Sequence, residues 1–212
     1  MGQPPAGLRE RKKQRTRELI AETARRLFTE RGFDRVTIAE VAREADVSQQ
    51  TVFNYFPTKE DLVYWRLESF EDDLLAAIRD REPGESVVQA FARFVLTPRG
   101  LLAARDPEAR SRLAELTRMI TESPALLARE RQIFDRYTAS LAAVIADETP
   151  AKGTVEPWVI ANALIGVHRA LVDHSRRRIV AGAPSSRIAS EVLAEGERAL
   201  ADLEHGLGSL GS

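Results

Sequence analysis

The 212-residue chain has no cysteine, which excludes disulfide bridges, thiolate metal sites and a cysteine nucleophile. It has no apolar run near the ~20 residues needed to span a bilayer. Its basic opening, MGQPPAGLRERKKQR, lacks the apolar stretch of a secretory leader. These absences fit a cytoplasmic protein with no membrane partner. No segment alternates apolar and polar residues for long enough to argue a sheet. There is no glycine-rich phosphate loop and no His-Glu-x-x-His pattern. His168 and His174, with Asp173 between them, are six residues apart on a helical stretch, so they point about 120° away from each other and cannot chelate together. No catalytic residue, cofactor or metal ligand is assigned.

What is present is a charge asymmetry inside an ordinary globular composition. Hydrophobic residues make up 43% and charged residues 30%, and a chain of this length hides roughly 70% of its unfolded surface. The net charge is −1, yet residues 1–66 carry 13 Lys and Arg against 10 Asp and Glu. The basic excess lies mostly in the first 17 residues, as suits an arm lying against a polyanion.

The apolar residues repeat near 3.6, so the chain is predicted all-α. Glycine and proline divide it at residues 4–7, 32, 57, 83–84, 98–100, 124, 150–153 and 182–184. A first helix from about residue 11 to residue 31 aligns Ile20, Ala24, Leu27 and Phe28. Thr58 is positioned to cap one long helix beginning KEDLVYWRLESFEDDLLAAIRD. Further helices are expected near 85–97, 107–121, 125–147, 155–180 and 185–206.

Residues 37–62, TIAEVAREADVSQQTVFNYFPTKEDL, carry the most information. Thr37 can cap a short helix with Ile38, Val41, Ala42 and Ala45 inward. After a turn at Asp46 and Val47, Ser48 can cap a second short helix whose outward residues are Gln49, Gln50, Thr51, Asn54 and Tyr55. Amides, hydroxyls and a phenol on an exposed short helix suit base edges and phosphate oxygens. Phe53 and Phe56 are expected in the core, and Thr37 and Ser48 can also be read as caps alone. The pattern predicts a helix-turn-helix DNA reader.

The stretch GFDRVTIAEVAREADVSQQTVFNYFPTKEDLV resembles the tetracycline-repressor (TetR) family of bacterial transcriptional regulators. The resemblance is carried by Gly32 and Phe33, by residues 37–42, by the Val-Ser-x-x-Thr segment over 47–56, and by Thr58, Lys59, Glu60, Asp61 and Leu62. Asp46 stands where the family has glycine, and Gln49 and Gln50 replace a small or basic pair. The resemblance implies a DNA-binding head with a basic N-terminal arm over 1–57, and a larger helical ligand-binding and dimerisation domain over 58–212. It gives Thr37 and Ser48 a place at the phosphates, Gln49, Gln50, Thr51 and Asn54 a place in the major groove, and Tyr55 and Lys59 a clamp on the backbone.

The same resemblance implies a homodimer on a near-palindromic double-stranded DNA operator, with two reading helices about 34–36 Å apart. The pairing surface would use Ala161, Ala163 and Gly166 of one late helix and Ile188, Val192, Leu193, Leu200 and Leu203 of the next. A small-molecule effector would sit among Trp65, Phe91, Phe94, Met119, Phe134, Tyr137, Asn162 and His168. The opening segment and FPTKEDLV resemble regulators that respond to acyl-coenzyme A or similar lipophilic compounds. The expected function is repression relieved by ligand. The alternative is a ligand-independent or architectural DNA-binding protein, for which charge alone would set a steep salt dependence.

Overall fold

The computed structural model describes residues 7–97, 107–148 and 154–207. The breaks expected at 98–100 and 150–153, and residues 4–6 of the first one, lie outside the described residues. Every regular element among the described residues is helical, as the periodicity predicts.

Helix α1 spans Leu8–Arg31, so it starts earlier than expected and carries Arg9, Arg11, Lys12, Lys13 and Arg15 exposed on its first turns. It stops at Gly32, whose φ of 84° a side chain would resist. Helix α2 (Ile38–Glu44) opens on a capping box. The Glu40 amide donates to Thr37 Oγ1 at 3.3 Å, and the Thr37 amide donates to the Glu40 carboxylate at 2.8 Å. Helix α3 (Gln49–Tyr55) is capped by Ser48, whose hydroxyl accepts from the Thr51 amide at 3.0 Å. Between them Asp46 adopts φ 53°, the left-handed backbone that its polar side chain tolerates.

The expected stripe on α1 is buried: Ile20, Ala24, Leu27 and Phe28 pack with Val36, Val41, Val52 and Phe56. Phe53 departs from the expectation and is 44% exposed. Val52 and Phe56, four residues apart, already occupy the inward face of α3, and Phe53 lies about 100° around the helix from Val52.

The long helix expected after Thr58 is broken. Helix α4 (Asp61–Tyr64) leads into a 3₁₀ turn (Trp65–Leu67) and then α5 (Glu68–Arg79). At the end of this turn the Tyr137 hydroxyl, 70 residues away in sequence, donates to the Leu67 carbonyl at 3.0 Å. The Tyr64 hydroxyl donates to the Leu126 carbonyl at 3.1 Å, which ties the other side of the break to the same partner helix. Both are tertiary bonds that helical spacing alone does not reveal.

The body continues through α6 (Val87–Val95), α7 (Pro107–Glu122), α8 (Pro124–Glu148), α9 (Glu156–Val180) and α10 (Ser185–Leu207). Helix α9 packs against both α8 and α10, and α7 reaches back to α1. The pairing stripe expected on the last two helices is partly internal: Ala161, Ile188 and Leu200 are buried in the protomer's own core. Gly196 marks the close approach there, since a Cβ on it would lie 2.2 Å from Leu96 Cδ2. Leu193 of the expected stripe is outward on α10, and Trp158, Val159 and Val180 are outward apolar residues on α9. Among the described residues, no helix is long and apolar enough to cross a membrane.

Candidate nucleic-acid interface

Helix α3 presents Gln49, Gln50, Phe53 and Asn54 to solvent, with Thr51 and Tyr55 half-buried at its flanks. The Gln50 amide donates to Asn54 Oδ1 at 3.1 Å, one helical turn away. That bond orients two amides as one unit, with the remaining donors and acceptors facing outward. Ser48 and Thr51 hydroxyls lie 2.8 Å apart at the start of the helix. Thr37 is fully engaged in its cap, and the hydrogen bonds that Glu40 accepts from the Thr37 backbone and hydroxyl hold the Glu40 carboxyl below its ordinary range. Thr37 and Ser48 therefore act as caps in this conformation.

Lys59 faces inward rather than outward. Its ammonium lies 4.2 Å from the centre of the Phe33 ring and 5.9 Å from that of Phe28. Burial lowers its pKa below the usual lysine range, against the opposing pull of Asp34. The Arg17 guanidinium lies 5.4 Å above Phe56, so α1 contributes a cation to the floor under α3. Thr58 accepts from the Asp61 amide at 3.3 Å, and Arg129 Nε donates to Asp61 Oδ1 at 2.9 Å. This ion pair fastens the exit of the head to α8.

The body residues expected at an effector do not converge on one place. Phe134, Tyr137 and His168 cluster around Phe70: the His168 ring stacks on Phe70 at 5.1 Å and meets Phe134 edge-on at 5.7 Å. Tyr137 stacks on Phe70 at 5.4 Å, and Phe94 meets it edge-on at 5.2 Å. Burial among these rings pushes His168 down to about 4 and raises the Tyr137 phenol above its ordinary value. Phe91 is fully buried in the core. Trp65 and Met119 line a cleft between α1 and α7 instead. Asn162 is exposed on the outer side of α9, donating to the Trp158 carbonyl at 2.7 Å. Among the described residues, no three His, Asp or Glu side chains gather as a metal site.

Residues 20–64, from α1 through α4, match the profile of the bacterial regulatory proteins of the tetR family. Residues 20–64 are thus a TetR-family N-terminal head. The HTH-type transcriptional regulator TcmR of Streptomyces glaucescens is 28% identical over 142 residues, which are 66% of this chain and 63% of that protein. The nucleoid occlusion factor SlmA of Pasteurella multocida is 28% identical over 130 residues, or 58% of this chain and 62% of SlmA. The chain thus spans a little under two thirds of the length of these relatives. Among solved structures, NalD of Pseudomonas aeruginosa, the secondary repressor of the MexAB-OprM efflux pump, superposes with a TM-score of 0.56 at 18% identity. The match covers 89% of this chain and 96% of NalD and shows a shared fold.

Sequence reasoning missed two features of this TetR-family head and its exit. Phe53 belongs to the exposed face of α3, and the available signal was its offset from the inward pair Val52 and Phe56. The second is the Asp61–Arg129 bond; the residues are 68 positions apart and carry no local pattern.

Proposed function

We propose that this TetR-family regulator is a homodimeric repressor that reads a palindromic operator through α3 and leaves it when a small lipophilic ligand binds. The observation that carries the proposal is the Gln50–Asn54 amide pair, exposed on a capped helix of a helix-turn-helix head. Glutamine and asparagine can pair in two-pronged fashion with adenine in the major groove. Gln49, Gln50, Thr51 and Asn54 are assigned to the bases and Tyr55 to the backbone. Thr37 and Ser48 set the helix starts at the phosphates, and Lys59 serves from beneath by fixing the turn between Phe28 and Phe33. The head is taken as residues 1–57, its basic arm being the exposed first turns of α1.

The outward apolar face of α9 and α10, with Trp158, Val159 and Leu193, supports pairing through these helices. Gly166, where an added Cβ would meet nothing within 4 Å, lies on the solvent-facing side of α9 and leaves room for a partner helix. The aromatic group around Phe70 and His168 supports a lipophilic effector, for which acyl-coenzyme A-like compounds are the class indicated by sequence resemblance. A ligand releases DNA only if it binds the released form more tightly, and a tenfold loss of operator affinity needs about 1.4 kcal/mol of coupling.

The test is fluorescence anisotropy on DNA fragments found by genomic footprinting of the protein. Gln50→Ala is expected to lose discrimination at one operator position by about 1–3 kcal/mol. It should leave affinity for unrelated DNA unchanged. Uniform weak binding to every fragment by the unmodified protein, set by salt alone, would replace this reading with an architectural one.

A further inference from the structure

We infer that the cleft between α1 and α7 binds a small amphipathic molecule with an anionic, hydrogen-bond-accepting head group. This inference deepens the proposal of ligand-dependent release and places the ligand at the joint between head and body, not inside the body. Two cavities, of about 400 and 190 Å³, adjoin there and share Phe28, Thr29, Glu115 and Met119 in their walls. The smaller one has an apolar wall of Phe28, Leu62, Val63, Trp65, Leu116 and Met119. The larger extends under the turn that carries Gly32, Phe33 and Asp34. The smaller has the character of a small-molecule site, mostly apolar with a few convergent polar groups, while the larger is lined mainly by polar and charged side chains such as Asp34, Arg35, Arg118 and Glu122.

The head-group assignment comes from the charges at the rim. Glu22 is taken by Arg25, whose Nε donates to it at 2.9 Å, and Glu115 accepts from the Ser111 hydroxyl at 3.1 Å. Arg112 lines the smaller cavity, and its buried Nε has no acceptor among the described residues. A buried guanidinium N–H without an acceptor is costly, and a carboxylate, sulfonate or phosphate oxygen is its natural complement. The apolar remainder of such a ligand would lie along Trp65 and Met119.

Position gives the site its consequence. One wall belongs to α1 of the head, the other to α7 of the body, and Trp65 sits in the 3₁₀ turn that joins α4 to α5. Occupancy therefore fixes the separation of α1 and α7 directly.

The full-length protein carrying Trp158→Phe leaves Trp65 as its sole tryptophan reporter. Two probes differing only in their charge are titrated: 1-anilinonaphthalene-8-sulfonate and its uncharged counterpart N-phenyl-1-naphthylamine. Saturable quenching of Trp65 is expected from both, with the sulfonate binding at least tenfold more tightly. Arg112→Gln should erase that tenfold preference while keeping the uncharged probe, and Arg112→Lys should restore part of it. Equal affinities in the parent protein, no saturable quenching, or quenching abolished by His168→Gln and untouched by Arg112→Gln would each overturn the inference. Operator titrations in parallel separate the two ideas. Probe binding at the cleft without change in operator affinity keeps the site and removes the release reading. Operator release by a compound that Arg112→Gln does not affect, with no quenching of Trp65, removes the site and keeps the release reading.

Discussion

The head and the body of this molecule are held together over very different distances along the chain. In the head the decisive hydrogen bonds join residues three or four apart: Thr37 with Glu40, Ser48 with Thr51 and Gln50 with Asn54. In the body they join residues far apart: Tyr137 with Leu67, Arg136 with Glu71, Arg81 with Glu148, and Ser86 with Glu204 across 118 positions. A locally specified head can keep its geometry while the body is remodelled around a ligand. The body has to settle as a whole.

The comparison is most severely strained by Phe56→Ala, which empties the centre of the head. A loss of about 3–5 kcal/mol is expected in chemical denaturation. Amide hydrogen exchange should accelerate in α1–α3 well before α8 and α9. Equal acceleration in both regions would mean that the head is not a separate unit.

Acid should act in the opposite place. His168 titrates near 4 in the folded body, below the ordinary 6.5, because the rings around it disfavour the charged form. Its contribution to stability is therefore complete above pH ~6.5 and lost as the pH falls towards ~4, because the unfolded chain takes up the proton first. The half-buried ring limits the effect to on the order of 2 kcal/mol. Melting curves of the parent and His168→Gln between pH 7 and 4 should converge, and parallel curves would remove His168 as the cause.

Thr37→Ala has the smallest expected effect, about 1 kcal/mol from loss of the α2 cap. It should appear as faster exchange confined to α2, with no change in the body. A larger, body-wide loss would show that the cap does more than start a helix.

The same contrast explains what could be read from the residues. Caps, turn residues and the inward spacing of Val52 and Phe56 are local, so α2, α3 and the exposed amides were legible, as was the turn at Asp46. Phe53 reads as core by its aromatic character, but its angle on α3, beside the inward Val52 and Phe56, turns it outward. The break at Trp65–Leu67 was invisible, since the bonds that flank it, from Tyr64 and Tyr137, span 62 and 70 positions. The apolar stripe of α10 could not distinguish a partner protomer from Leu96 of its own body. The cleft between α1 and α7 needed both walls in place before Arg112 Nε could be seen to have no acceptor among the described residues.

The interruption at Trp65–Leu67 makes the link between head and body a swivel instead of a rod. Three residues advance about 2.0 Å and 120° each in the 3₁₀ form, against about 1.5 Å and 100° in an α-helix. Tightening or relaxing that one turn would swing everything before it by about 60° and change its reach by about 1.5 Å. In a symmetric pair both arms would swing together, so a small adjustment at the joint would become a mismatch with the pitch of the duplex.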